Sequence, residues 1–415
     1  MTIIEGGITA AKGFMASAAE ANIKYSGRDD MALIYAPSGA ASAGVYTSNV
    51  VKAAPVIYDR QITESDNKVY GIVINSGIAN ACTGEPGMEI CRRTADYAAS
   101  KLSAQTGRAS GIKGDNILVA STGVIGFDMP MDRIKRGIDL LSEAADAGRA
   151  AANKAARAIM TTDTVEKEFA VSFEVGGRKA IIGGMCKGSG MIHPDMCTML
   201  GFLATDVNIS KELLNEALKE IVKDTFNMIS VDGDTSTNDT LVILANGEAG
   251  NPKITTKNAD YDTFKEALNY ICASLAKKMA ADGEGATKLF EVIVNGADTM
   301  DNARTLAKSV VTSSLTKAAI YGKDANWGRI FCALGYAGVD FDPVKVTLDF
   351  KSAAGSIRIA QDGRGTDYSE DEATRILSED YVTALIDMND GSKSATAWGC
   401  DLTHEYVSIN ADYRS

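Results

Sequence analysis

Short β-branched runs and amphipathic helical segments are interleaved along the whole chain without a regular strand-helix-strand rhythm, and this irregularity limits the architecture more than any other feature. Val69 to Asn75 (VYGIVIN), Asn116 to Ala120 (NILVA), Thr240 to Ala245 (TLVILA), Phe290 to Asn295 (FEVIVN) and Val344 to Phe350 (VKVTLDF) read as strands bounded by turn residues. From Glu168 to Gly184, FAVSFEV and RKAIIGG flank Gly176-Gly177, which predicts a hairpin whose two turn residues take positive backbone angles. Thr263 and Glu266 form a T-x-x-E capping box before Phe264, Leu268, Ile271 and Leu275, predicting a helix from Thr263 to Ala280. Ser210 caps a second apolar stripe at Leu213, Leu214, Ala217, Leu218, Ile221 and Val222, and Ile134, Ile138 and Leu141 mark a third. Near the end, Val407 and Ile409 alternate with polar residues as in a strand, which would carry Asn410 and Ser415 into structured territory. The pattern predicts an α+β protein of layered sheets and helices, with mainly antiparallel strands and no doubly wound core.

With 415 residues, 45% of them hydrophobic, the chain can bury more than one ordinary core. A net charge of -12 argues against nucleic acid or an anionic membrane as partner, since both demand a positive surface, and favours a small molecule. No apolar run approaches the roughly 20 residues of a membrane span, and MTIIEGGITAAK lacks the basic start and apolar centre of a signal peptide. A cytoplasmic location is therefore expected. Seven scattered cysteines without a C-x-x-C pair suggest neither a disulfide framework nor a zinc site. His193 and His404 are the only histidines, so a histidine-based metal centre or a Ser-His-Asp triad has little to draw on.

The centre of the chain, KGSGMIHPDMCTMLGFLATD from Lys187 to Asp206, is the most singular stretch. Lys187-Gly188-Ser189-Gly190 resembles a phosphate-binding loop only superficially, because its lysine precedes the glycines and the G-x-x-x-x-G-K-[ST] spacing is absent. Cys197-Thr198 has a different potential. If the chain cut itself there, Cys197 or Thr198 could become an N-terminal nucleophile; a freed Thr198 α-amine, with a pKa of about 7.7 to 8.0, could take the proton of the threonine's own hydroxyl, and no histidine would be needed. On residue chemistry alone, a buried Cys-Thr pair in an apolar strand is the plainer reading. Ala120-Ser121-Thr122-Gly123-Val124-Ile125-Gly126 follows a strand and could aim backbone amides and the Thr122 hydroxyl at a developing oxyanion, or could simply be a tight turn. Asp232 to Asp239 lacks the ligand alternation of a calcium loop and reads as a turn rich in capping side chains. In Asp282-Gly283-Glu284-Gly285, Glu284 could meet a substrate ammonium or be merely solvated.

Taken in order, GGITAAKGF (Gly6 to Phe14), NSGIANACTGE (Asn75 to Glu85), STGVIG, IMTTDT (Ile159 to Thr164), GGMCKGSGMIHPDMCTML (Gly183 to Leu200), SVDGDTSTNDT (Ser230 to Thr240), DGEGATK, KDANWGR (Lys323 to Arg329) and NADYRS closely resemble the ornithine acetyltransferase (glutamate N-acetyltransferase) family of arginine biosynthesis. The resemblance runs from Gly6 to Ser415 and overturns the plain reading of Thr198. It implies a self-cleaving enzyme of the N-terminal-nucleophile type that cuts between Cys197 and Thr198. The products would be an α chain of residues 1 to 197 and a β chain of residues 198 to 415, intertwined in one catalytic unit and assembled as an α2β2 heterotetramer.

The implied reaction is ping-pong: the Thr198 hydroxyl takes the acetyl group of N-acetylornithine, ornithine leaves, and glutamate carries the acetyl group away as N-acetylglutamate. Thr122 and Gly123 are the implied oxyanion hole, and Thr161, Lys187, Thr198, Glu284, Asn410 and Ser415 the implied substrate-binding positions, with no cofactor or metal. Lys187 suits the α-carboxylate common to both substrates and Glu284 the side-chain ammonium of ornithine. The sequence departs from the family's usual pattern at Cys197, where alanine is common, and at Asp195 and Ile78, where asparagine is common. No residue decides whether acetyl-CoA serves as a second acetyl donor. The rivals are a self-processing aminopeptidase or amidase, which would pass the acyl group to water, and an uncleaved binding protein.

Overall fold

Gly176 and Gly177 close the expected hairpin, with φ of 55° and 69°, between the antiparallel strands Lys167–Val175 and Arg178–Lys187. The computed structural model describes residues 1–106, 111–193 and 199–412. It divides into two units, one of Met1–Gly188, Asp195–Val222 and Thr235–Leu275, the other of Ser189–Pro194, Lys223–Asp234 and Ala276–Ser415.

In the first unit the hairpin belongs to a nine-stranded sheet ordered Thr2–Ile4, Lys167–Val175, Arg178–Lys187, Leu200–Thr205, Thr240–Ala245, Met31–Tyr46, Val69–Asn75, Ile117–Ser121, with Met15–Ala19 paired to Met31–Tyr46. Most neighbours are antiparallel, but Leu200–Thr205 runs parallel to Thr240–Ala245 and Val69–Asn75 runs parallel to Ile117–Ser121. Ile34, Ile72, Ile74, Leu118, Phe202 and Val242 meet in one core with almost no exposure. Their mostly β-branched or aromatic side chains suit strands covered on both faces. The helix Met131–Glu143 buries Ile134, Ile138 and Leu141, and Lys211–Ile221 starts where the Ser210 side chain accepts a hydrogen bond from Leu213 N. Strand Arg178–Lys187 lies before the expected cleavage point and Leu200–Thr205 after it, yet the two are neighbours, with Lys187 opposite Leu200.

The second unit holds a seven-stranded sheet ordered Arg364–Gly365, Gly355–Gln361, Thr347–Ser352, Tyr381–Asp387, Leu289–Ala297, Lys393–Cys400, Ile229–Ser230. The helix Met300–Thr312 packs on its strands Leu289–Ala297 and Lys393–Cys400. The α+β architecture is thus as expected, with parallel pairs inserted into largely antiparallel sheets. Among the described residues no helix is long and apolar enough to cross a membrane.

Several boundaries differ from expectation. The helix at Thr263 begins earlier, at Ala259: Asn258 Oδ1 accepts from Tyr261 N at 3.1 Å, and the Thr263 hydroxyl bonds back to Ala259 O instead of capping. Asn116 ends a short 3-10 turn, and Val344 lies in another, so both strands there start later, at Ile117 and Thr347. Most importantly, the C-terminal segment is helical over His404–Ala411. Thr403 caps it by accepting from Tyr406 N, and this local satisfaction of an orphan amide outweighs two alternating apolar residues, neither of them fully buried.

Candidate active site

Lys187 closes its strand with a side chain only 8% exposed. Its Nζ donates to Thr161 Oγ1 at 3.0 Å and to Thr122 Oγ1 at 3.3 Å. Three positions singled out in the sequence are therefore gathered on one ammonium. Thr161 sits just past the helix Arg149–Ala158, and its amide donates to Asp163 Oδ2 at 3.1 Å.

Thr122 and Gly123 follow the strand Ile117–Ser121, where STGVIG is zipped to NSGIAN. Thr122 N donates to Asn75 O, Val124 N to Gly77 O and Ala79 N to Val124 O, at 3.0 to 3.1 Å. Gly123 has φ 132°, and a Cβ there would stand 2.2 Å from the carbonyl carbon of Gly77. Only glycine fits so close a crossing of two backbones. Asn238 anchors the pair of loops from the SVDGDTSTNDT stretch, its Nδ2 donating to Ala79 O at 2.6 Å and Ser121 O at 2.8 Å.

Behind Lys187 lies a buried ionic group. Asp163 Oδ1 accepts from Lys167 Nζ and from Gly188 N, both at 2.7 Å, and the paired side chains of Lys167 and Asp163 are 1% and 0% exposed. Burial pushes the Asp163 carboxyl up, but the charges of Lys187 and Lys167 more than offset it and hold the group below the usual carboxylate range. Asp239 has the opposite balance. Burial dominates and lifts its carboxyl well above normal, against the opposing influence of Ser236, Lys187 and the Met199 amide. Its Oδ2 has no hydrogen-bond partner among the described residues.

In the second unit, Glu284 is 6% exposed and tied by its backbone to Ser189 O at 3.0 Å. Its Oε2 accepts from Asn410 Nδ2 at 2.8 Å, so these two implied substrate positions are neighbours. The glycine before Met191 has a steric reason, because a Cβ at Gly190 would lie 2.3 Å from the Glu284 carboxylate. Asp232 lies in the turn expected for its stretch, accepting from Met191 N at 2.6 Å and Ile192 N at 2.9 Å. His193 pairs through Nδ1 with Ser230 Oγ at 3.1 Å, a structural contact. Cys197, Thr198 and Ser415, the implied cleavage site, nucleophile and final substrate position, lie outside the described residues.

Residue reasoning passed over Asp163, Lys167 and Asn238 as individuals. Asp163 was visible only as part of IMTTDT, and nothing in the spacing of Lys167 distinguishes a buried lysine from a solvated one.

A family model described as the ArgJ family matches residues 15–415. The arginine biosynthesis bifunctional protein ArgJ 1 of Clostridium acetobutylicum is 48% identical over 402 residues, covering 97% of this chain and 96% of its own length. The arginine biosynthesis bifunctional protein ArgJ of Symbiobacterium thermophilum is 48% identical over 417 residues, covering 100% of both. Among solved structures, an arginine biosynthesis bifunctional protein from Bacillus halodurans is 46% identical with a TM-score of 0.49, over 51% of this chain and 97% of that one. An ornithine acetyltransferase from Mycobacterium tuberculosis, solved with ornithine, is 36% identical with a TM-score of 0.42, over 48% of this chain and 99% of that one.

Proposed function

The chain belongs to the ArgJ family, and from that premise we propose that it moves an acetyl group from N-acetylornithine to glutamate through an acetyl ester on Thr198. It is an acyltransferase of arginine biosynthesis. The precursor cuts itself between Cys197 and Thr198, and the freed Thr198 amine serves as base for the adjacent hydroxyl. Attack on the acetyl carbonyl forms a tetrahedral intermediate whose oxyanion is met by the Thr122 hydroxyl and the Gly123 amide. Collapse breaks the C–N bond, and the Thr198 α-ammonium returns its proton to the departing ornithine nitrogen. Glutamate then attacks the ester through its amine, giving N-acetylglutamate and restoring the free hydroxyl.

The observation that carries this reading is the convergence of Lys187 on Thr122 and Thr161, from a strand whose last residue is paired with Leu200, two residues beyond Thr198. A buried ammonium beside two threonine hydroxyls suits the α-carboxylate of an amino acid next to a developing oxyanion. Glu284 supplies the complementary charge for the ornithine side chain, with Asn410 and Ser415 completing the substrate set. A nine-stranded sheet drawing strands from both sides of the cleavage point supports α and β chains that stay together after the cut. An α2β2 assembly, a cytoplasmic location, and acetyl-CoA as a further donor belong to the same proposal, with no cofactor retained by the protein.

The test is to incubate the purified protein with N-acetylornithine, with and without glutamate. Transfer predicts N-acetylglutamate and ornithine in equal amounts, with little free acetate. Acetate release independent of glutamate would instead identify an aminopeptidase or amidase.

A further inference from the structure

Resting on the reading of Thr122 as an oxyanion donor, we propose that Asp163, held by Lys167, is a positioning residue that keeps the Lys187 ammonium on the Thr122 hydroxyl and so directs the Thr122 proton toward the oxyanion.

A threonine hydroxyl has one proton to give and two lone pairs to receive with. Lys187 Nζ, which can only donate, lies 3.3 Å from Thr122 Oγ1. That contact occupies a lone pair and removes the ammonium as a destination for the Thr122 proton. The hydroxyl is then preorganised, and its dipole is strengthened by the neighbouring positive charge. Lysine, however, has a flexible four-carbon stem, and something must fix its end.

Asp163 is the group built to do so. Its carboxylate gathers Thr161 N at 3.1 Å, Gly188 N at 2.7 Å and Lys167 Nζ at 2.7 Å. It thereby joins the backbone beside Lys187 to the loop carrying Thr161, whose hydroxyl is the second acceptor of the Lys187 ammonium, at 3.0 Å. The charges of Lys187 and Lys167 both favour ionisation of Asp163. Lys167, itself 1% exposed, fixes the carboxylate from behind. One buried carboxylate thus ties the Thr161 loop to the strand end that carries Lys187.

The test compares wild type, Asp163→Asn, Asp163→Asn/Lys167→Met, Thr122→Val and Thr122→Val/Asp163→Asn. Acetyl transfer from N-acetylornithine to glutamate is measured per mole of cleaved β chain. Asp163→Asn should lower kcat by roughly 10- to 100-fold, below the full loss of one oxyanion donor, while the substrate contacts of Lys187 and Thr161 are read separately in KM. In Thr122→Val the same substitution should cost little more in kcat, because the hydroxyl that the Lys187 ammonium orients is gone. The double change with Lys167→Met, which removes the stranded buried cation, should recover thermal stability but not kcat, and it carries the test if Asp163→Asn alone does not fold. Recovery of kcat together with stability would mean that Asp163 merely balances Lys167 and would overturn the proposal, as would equal losses from Asp163→Asn with and without Thr122. If wild type itself produces no N-acetylglutamate, the reading of the reaction fails instead.

Discussion

Replacing Gly123 by alanine should disable the site by backbone displacement alone. The added Cβ would meet Gly77 C at 2.2 Å, Gly77 O at 2.4 Å and Ile78 N at 2.6 Å, where ordinary contact begins near 3.4 Å. All three are main-chain atoms, so no side chain can swing away, and the two loops must part by about 1 Å. Overpacking of this kind costs about 1–3 kcal/mol, and an alanine at φ 132° adds strain of about 1–3 kcal/mol. The same parting moves the Gly123 amide and the Thr122 hydroxyl off the oxyanion. A 1 Å misplacement costs about 100-fold in rate, comparable to losing one oxyanion donor. Gly126, in the same loop at φ 82°, has nothing within 4 Å of its would-be Cβ and supplies the control. Gly126→Ala should cost about 1 kcal/mol of stability and leave kcat near wild type. Steady-state kinetics of acetyl transfer and urea unfolding of both variants decide it. Wild-type kcat in Gly123→Ala, or equal losses in the two variants, would refute the reasoning.

The depressed Asp163 carboxyl contributes stability that is complete above the unfolded value near pH 4 and is lost as pH falls through its folded value. Asp163→Asn should therefore cost about 3 kcal/mol at neutral pH and show a shallower acid limb below about pH 4 in urea midpoints; an unchanged limb would contradict this. Glu284→Gln should raise KM for N-acetylornithine about tenfold with a smaller effect on the half-reaction with glutamate, which has no side-chain ammonium. Equal effects on both substrates would remove Glu284 from that role. Sequencing the β chain should give Thr198 as its first residue in wild type and in Cys197→Ala alike, whereas a wild-type chain beginning at Cys197 would mean that the thiol competes for the cut.

Strong local signals were legible. The Gly176-Gly177 hairpin, the strands at Val69–Asn75 and Thr240–Ala245 and the Ser210 cap each depend on residues adjacent in sequence, and each formed. Thr263 failed as a cap because Asn258, upstream of the first apolar residue, offers an equally good acceptor one turn earlier. The C-terminal helix was missed because none of its residues is fully buried and its apolar residues form no long stripe for periodicity to report. Lys187, Thr122 and Thr161 were each named from their motifs, but not their convergence, since their mutual contacts span 26 and 65 residues. Asp163 and Lys167 escaped for a related reason. Pairing at i and i+4 commonly marks a helix surface, whereas here it spans a loop and a strand end beneath the site.

The most direct test is the mass of the β chain after brief exposure to N-acetylornithine without glutamate. The fragment beginning at Thr198 should gain the mass of one acetyl group, carried on the threonine side chain and lost when glutamate is added, with N-acetylglutamate formed in equal amount. Turnover of N-acetylornithine to N-acetylglutamate with an unmodified β chain, or with Thr198→Ala fully active, would contradict acetyl transfer through Thr198.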